Sequence, residues 1–184
     1  MKKESEDMVK SKNVLEFITV ANELCLFLEE IEKYDVAFIF AYLQRVLPLV
    51  YIKGSMLPDI EPVNKELTER YVTQEDWERI FNLLRNKIGK CDRFEDSEIP
   101  GNPDEADSLS ISENLADIYQ DLKDFLILYQ KNTHTARENA VYSCRMHFGS
   151  QWGLKILNAH KSIHQMIFGN NKKSGNLFIG FSSN

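Results

Sequence analysis

Four acidic side chains lie along one predicted helix at a spacing that points them the same way. At about 100° per residue, Asp117, Asp121 and Asp124 fall in one narrow stripe with Glu113, opposite the apolar residues of the same segment. Such a stripe is usually solvated helix surface. The functional alternative is a row of carboxylates that collects a metal ion or meets a basic partner. Like charges at this spacing repel each other by roughly a few tenths of a kcal/mol per pair, so we expect something to offset them.

Two histidines, His160 and His164, are four residues apart, which is the spacing that lets two imidazoles share a metal ion. They lie on or beside the apolar stripe around Ile156, where a histidine is more often a hydrogen-bonded core residue than a ligand. No HExxH glutamate accompanies them. His160 and His164 are therefore weak metal candidates, and the sequence predicts no metal and no other cofactor.

Other catalytic patterns are missing from the sequence. It contains no glycine-rich phosphate loop and no GxSxG motif. Gly149 and Gly153, four residues apart, are more simply explained as positions where a neighbouring helix backbone approaches closely, because neither has a Cβ atom. These observations favour a protein without catalytic activity.

Charge is distributed unevenly along the chain. Residues 92–130 carry 2 basic and 11 acidic side chains, a net charge of −9, whereas residues 131–184 carry 7 basic and 1 acidic, a net charge of +6. The two helices on either side of Lys131–Thr135 are joined by a short connection and should pack antiparallel, which would bring His164 near Glu113 and Asp117. The net charge of the whole chain is −6, which disfavours binding to nucleic acid.

Helical periodicity dominates the chain, and no stretch shows sustained strand alternation. The periodic segments predict an all-α fold, an irregular bundle of about five helices with a central apolar helix, over residues 13–32, 35–52, 73–89, 112–132 and 135–168. The segment 35–52 is apolar nearly all round, so we expect it to be buried on most sides. Its length and its polar residues disfavour a bilayer span, and no membrane association is predicted.

Local signals mark where these helices begin and end. Thr73 with Asp76 three residues on predicts a capped start, and Ser112 and Thr135 are expected to open the two later helices. Gly89 is a suitable stop, and Pro48 should kink or end the apolar helix.

The length of 184 residues indicates one helical domain over 13–168, a charged N-terminal segment 1–12 and a C-terminal tail 169–184 that is flexible or docked. The three cysteines, Cys25, Cys91 and Cys144, show no CxxC spacing and do not form a disulfide framework. The first twelve residues are charged and lack the apolar core of a signal peptide. We therefore expect a cytoplasmic protein.

Three stretches resemble a bacterial helical family known as domain of unknown function 5063. They are Val72–Trp77, Leu115–Lys123, and Trp152-Gly153 together with Ala159 and His164. The similarity spans roughly residues 14–168 and implies an all-helical bacterial domain with no assigned activity. It matches His164 but not His160 to the family pattern, which weakens a two-histidine metal site.

The sequence favours a non-catalytic helical binding or protein-interaction domain whose expected partner is another protein. The alternative is a metal-assisted hydrolase that uses acidic and histidine residues of the last two helices. In either case, Asp117, Tyr119, Asp121 and His164 are the candidate binding residues.

Overall fold

The structure is a computed structural model that describes residues 7–62, 70–92, 110–131 and 133–168. Its elements in chain order are α1 (Lys12–Glu29), a 3₁₀ turn (Ile31–Lys33), α2 (Val36–Ser55), α3 (Gln74–Ile88), a 3₁₀ turn (Gly89–Asp92), α4 (Ile111–Gln130), α5 (His134–His147), a π-helical turn (Phe148–Trp152) and α6 (Gly153–Phe168). These ranges contain helices and no strand, so the predicted all-α fold is confirmed. The predicted C-terminal tail 169–184 lies outside the described residues.

Local signals account for several helix ends. The Thr73 hydroxyl accepts a hydrogen bond from the Asp76 amide while the Asp76 carboxylate accepts one from the Thr73 amide, which is the predicted capping box of α3. Gly89 ends the same helix with φ of 57°, in the left-handed region that favours glycine.

Two predicted helix starts were wrong by two residues. Ser110, not Ser112, caps α4 and forms a capping box with Glu113. Ser112 lies inside the helix, where its hydroxyl and amide both donate to the buried carboxylate of Asp92. Thr133, not Thr135, caps α5.

The predicted last helix is divided into α5 and α6 by the π-helical turn at Phe148–Trp152. The two glycines expected to admit a neighbouring helix differ from each other. A Cβ atom on Gly149 would meet nothing within 4 Å, so that expectation was wrong for Gly149. A Cβ atom on Gly153 would lie 2.5 Å from the Phe148 carbonyl oxygen of the turn itself.

The middle of the bundle is α4, which contacts α1, α3, α5 and α6. Aromatic rings fill the space between these helices: Phe17 packs against Phe125 and Trp152 at centroid distances of 5.1 and 5.8 Å. Trp152 and Ile156 are buried, and the Trp152 indole donates to the Cys144 carbonyl oxygen.

The apolar helix α2 is buried on its inner side, where Phe40, Leu43 and Leu47 have no exposed surface. The expectation that it is buried on most sides was wrong, because its outer side is open. By length and composition α2 could also cross a membrane, with a mean hydropathy of 1.5, which is weak evidence because core helices of soluble proteins pass the same criterion. Pro48 does not end the helix, which continues to Ser55.

Candidate functional site: the polar side of α4

Asp117 joins α4 to two other helices. One of its carboxylate oxygens accepts a hydrogen bond from the Trp77 indole of α3 at 2.7 Å, and the other accepts one from the Lys155 ammonium group of α6. The Asp117 side chain is 23% exposed. Both oxygens of this predicted binding residue are therefore already used within the protein.

Asp121, the second candidate acid, is buried with only 5% of its side chain exposed. The same carboxylate oxygen receives the Arg70 guanidinium at 2.9 Å and lies 3.2 Å from Nδ1 of His147. A buried carboxylate is costly unless it is paired, and these two neighbours supply the pairing.

Asp124 holds the segment that leads into α3. One of its oxygens accepts hydrogen bonds from the backbone amides of Tyr71 and Val72, both at 2.8 Å, and the other accepts one from Arg70 at 3.2 Å. The remaining acid of the stripe, Glu113, caps its own helix. Of the two alternatives for the acidic stripe, solvated helix surface does not apply, because the residues before α3 and the helices α3, α5 and α6 cover it.

Tyr119 faces α1. Its hydroxyl donates to Glu29 at 2.8 Å, and Lys123 donates to the same oxygen at 2.7 Å. Burial works to raise the pKa of Glu29, but the hydrogen bonds from Lys123 and Tyr119 and the charges of Lys123 and Arg79 outweigh it, so the pKa lies below its ordinary value. Burial, together with the hydrogen bond to Glu29, raises the pKa of Tyr119, so the phenol stays protonated. Tyr119 therefore acts as a hydrogen-bond donor that ties α4 to α1.

We call the set of interactions made by Asp117, Tyr119, Asp121 and Asp124 the α4 polar network. Two cations of the protein pair with its carboxylates: Arg70 with Asp121 and Asp124, and Lys155 with Asp117. Within the described ranges, no group of three or more histidine, cysteine, aspartate or glutamate side chains could hold a metal ion. The network thus cross-links helices and presents no vacant carboxylate pair.

The histidine pair is placed by the apolar helix rather than by the acids. Pro48 has no amide hydrogen, so the Gln44 carbonyl oxygen one turn earlier loses its usual helical donor. Nε2 of His160 lies 3.2 Å from that carbonyl oxygen, and His164 contacts the Gln44 side chain, Nδ1 to Nε2, at 3.2 Å. Both histidines thus bind Gln44, and the pairing of His164 with Glu113 or Asp117 expected from the charge pattern is replaced by this contact.

The antiparallel pairing of the acidic and basic segments is confirmed. His147 is next to Asp121, and Lys155, farther along the chain, is next to Asp117, nearer the start of α4. At the other end, the Arg137 guanidinium lies over the Tyr129 ring.

Sequence reasoning missed the partners that complete the network: Arg70, Trp77, His147 and Lys155. The uneven charge distribution was a usable signal for His147 and Lys155, since it predicted that bases of the last helix face the acids of α4. Arg70 lies in a connection without periodicity, so no local signal identified it.

Two of the three thiols are buried in the interior. Burial raises the pKa of both Cys25 and Cys144, which keeps these side chains protonated and apolar. All three cysteines are free, and Cys91 is the partly exposed one.

A second surface lies on the outer sides of α2 and α6. We define the α2–α6 face by six exposed residues: Phe38, Arg45, Ile52, Leu154, Lys161 and Phe168. Its four apolar side chains are between 49% and 59% exposed, and Leu49 and Leu157 add further exposed apolar area beside them. Single exposed apolar side chains are ordinary, but a group of them on two neighbouring helices is a candidate interaction surface.

Comparison with known proteins identifies the family but no activity. Residues 8–169 match the model of a family described as Domain of unknown function (DUF5063). A solved structure, protein BF1032 from Bacteroides fragilis, is similar with a TM-score of 0.76 and 34% sequence identity, covering 86% of this chain and 97% of that one. No curated protein matches the chain.

Proposed function

The chain belongs to the DUF5063 family, and from this premise we propose that it is a non-catalytic helical domain that binds another protein through the α2–α6 face. The observation that carries the proposal is the exposure of four large apolar side chains on two adjacent helices, Phe38 and Ile52 on α2 and Leu154 and Phe168 on α6. Removing such side chains from water on binding yields about 25 cal/mol per Å² of apolar area, before the costs of association.

The α4 polar network supports a structural role for the acids rather than a catalytic one. Asp117 and Asp121 bind donors that belong to the protein itself, and Tyr119 donates to Glu29. A hydrolase that used these carboxylates would first have to displace Lys155 or Arg70. The geometry therefore gives the metal-assisted hydrolase no support, while the open apolar surface favours binding.

Site-specific photo-cross-linking tests the proposed surface. We would place p-benzoylphenylalanine at Ile52 or Leu157, with Leu26 of α1 as the matched control, because it is an apolar residue of similar exposure. We expect a discrete adduct from Ile52 and Leu157 and none from Leu26 in the cell that makes the protein. Equal adducts from all three positions, or none from any, would contradict a specific interaction surface there.

Metal analysis tests the non-catalytic assignment. Protein purified without a histidine tag should contain no stoichiometric zinc, iron or manganese. One metal ion per chain, lost in Asp117→Asn but kept in a variant of the exposed Asp59, would restore the hydrolase alternative.

We also infer that the domain works in a bacterial cytoplasm. The similar structure comes from a bacterium, and the three free cysteines fit a reducing compartment. Cell fractionation should recover the protein with the cytosolic markers, and recovery in the periplasmic or membrane fraction would contradict this placement.

A further inference from the structure

The α2–α6 face runs along the seam between two antiparallel helices. Gly54, near the end of α2, packs against Trp152, just before the start of α6: a Cβ atom on Gly54 would lie 2.3 Å from the Trp152 ring. Near the middle of the seam, Gln44 contacts His160 and His164. These contacts fix which residues of the two helices lie level with each other.

The face residues follow a seven-residue repeat on both helices. Phe38, Arg45 and Ile52 recur at that interval on α2. Leu154, Lys161 and Phe168 do the same on α6, and residues seven apart lie on one side of a helix.

In the antiparallel register set by these contacts, residues of the same chemical type lie opposite each other across the seam. Ile52 comes level with Leu154 at one end, and Phe38 with Phe168 at the other. Arg45 comes level with Lys161 in the middle. The face is therefore apolar at both ends and cationic at its centre.

The central charge is not neutralised by the two helices themselves. Neither α2 nor α6 contains an aspartate or a glutamate. Their other two lysines are used elsewhere, because Lys53 binds Glu16 of α1 and Lys155 binds Asp117. Arg45 and Lys161 are exposed and form no ion pair with any residue that the structure describes. A positive centre on a chain of net charge −6 selects for a negative partner group.

We propose that the α2–α6 face binds an amphipathic helix of a partner protein that carries aspartate or glutamate at its centre and large apolar residues about seven positions before and after. This inference rests on the proposed function and names the partner's chemistry. A third helix binds along two adjacent helices by inserting apolar side chains that recur at helical spacing on one of its sides. From Phe38 to Ile52 the face is about 21 Å long, which a helix of roughly 15 to 20 residues covers.

The position of the cations argues against two other occupants. A second copy docked by two-fold symmetry would bring the centre of each face together and oppose Arg45 and Lys161 to themselves. A helix that lies on a membrane keeps its cations on the polar side, away from the acyl chains, whereas here they interrupt the apolar row. A partner helix with a central carboxylate and apolar residues on either side would pair with the cations at the centre of the face and cover the apolar residues at its ends.

A displayed peptide library tests the inference. Helical peptides of 20 residues with randomised central and flanking positions would be selected on the full chain and, in parallel, on the double variant Arg45→Glu/Lys161→Glu. We expect the wild type to select aspartate or glutamate at the centre and the double variant to select lysine or arginine. A peptide selected on the wild type should bind the double variant at least about tenfold more weakly. The charge-conserving control Arg45→Lys should change its affinity by less than about threefold.

The outcomes separate the inference from the proposed function. Peptides that lose binding on Ile52→Asp but show no preference for a central acid would overturn the inference and leave the proposed function standing. If no selected peptide is sensitive to Ile52→Asp, both fail.

Three control measurements test the other occupants. The first two are binding to vesicles of phosphatidylcholine and phosphatidylglycerol, and dimer formation in sedimentation. Either result would overturn the inference if the substitution Ile52→Asp abolished that binding or that dimer. Peptide binding that appears only after residues 169–184 are deleted would assign the face to the chain's own C-terminal segment and overturn it as well. Circular dichroism of each variant confirms that the substitutions at these exposed positions leave the fold intact.

Discussion

The α4 polar network and the α2–α6 face are both rows of side chains at helical spacing, yet the protein treats them in opposite ways. In the network, Asp121 and Asp124 are covered and bound by residues that are distant in sequence, such as Arg70. On the face, Ile52 and Phe168 remain more than half exposed. A row of polar side chains can thus stabilise the fold from the interior, and a row of apolar side chains can lie exposed on the surface. Which of the two happens depends on what packs over each row.

The physical reason for the difference is the cost of leaving each row incomplete. A buried carboxylate without a donor costs several kcal/mol, so the fold must supply its partners internally. An exposed apolar side chain only lacks the favourable free energy of burial. That free energy can instead be released when a partner protein covers the side chain. We therefore expect substitutions in the interior to change stability and substitutions on the face to change binding.

The sharpest contrast is between two residues on either side of the start of α6. Trp152 is fully buried between Phe17 and Phe148, whereas Leu154 is 59% exposed on the face. Trp152→Ala should lower the free energy of unfolding by about 3–5 kcal/mol, because it leaves a cavity. Leu154→Ala should change it by less than about 0.5 kcal/mol. Urea unfolding followed by circular dichroism measures both, and similar losses in the two variants would break the distinction between interior and face.

A second prediction concerns Asp124, the acid with two backbone amides on one oxygen. Asp124→Ala leaves the amides of Tyr71 and Val72 and part of the charge of Arg70 unsatisfied, so we expect a loss of about 2–3 kcal/mol. Asp59 is a matched control, since its side chain is 83% exposed and, among the residues that the structure describes, it pairs with Arg145 at 3.6 Å. Asp59→Ala should cost less than about 0.5 kcal/mol. If Asp124→Ala were equally mild, the acidic row would be surface after all.

A third prediction separates the two glycines at the turn between α5 and α6. Gly153→Ala places a Cβ atom against the Phe148 carbonyl oxygen and should destabilise the protein by about 1–2 kcal/mol. Gly149→Ala meets open space and should be neutral or stabilising by up to about 1 kcal/mol, because alanine favours helix. Thermal unfolding of both variants gives the difference, and its reversal would place the close contact at Gly149.

Much of the fold could be predicted because its signals are local. Apolar residues at helical spacing located all six described helices, with α5 and α6 predicted as one, and Thr73 and Gly89 marked the two ends of α3 correctly. The start of α4 was also readable, since Ser110 with Glu113 is a capping-box pattern. Ser112 fits the same pattern less well in the structure, because its hydroxyl donates to Asp92, a residue twenty positions earlier.

The candidate site could be predicted only in part because its partners are not local. The spacing of Asp117 and Asp121 is the same whether the row faces water or faces Arg70 and Lys155, and sequence periodicity does not distinguish these cases. Sequence periodicity also does not show which side of α2 is buried, because apolar residues occur all round this helix. Which side is covered depends on where α1 and α6 pack, and that is a property of the whole fold.

The last and smallest predicted effect is a pH dependence that the network should show and the α2–α6 face should not. The pKa of Glu29 lies below its ordinary value of 4.5, because the donors Lys123 and Tyr119 outweigh the effect of burial. The ionised carboxylate is thus favoured by folding, so its stabilising contribution is fully present above about pH 4.5 and is lost as the pH falls through the lower folded value. Glu29→Gln should therefore cost more stability at pH 7 than at about pH 3, as measured by urea unfolding at both values. Tyr119→Phe removes one donor and should move the pKa of Glu29 back toward 4.5 in a carboxyl NMR titration, whereas Ile52→Ala on the face should leave it unchanged. An equal cost of Glu29→Gln at both pH values would mean that the bridge between α1 and α4 does not depend on the charge of Glu29.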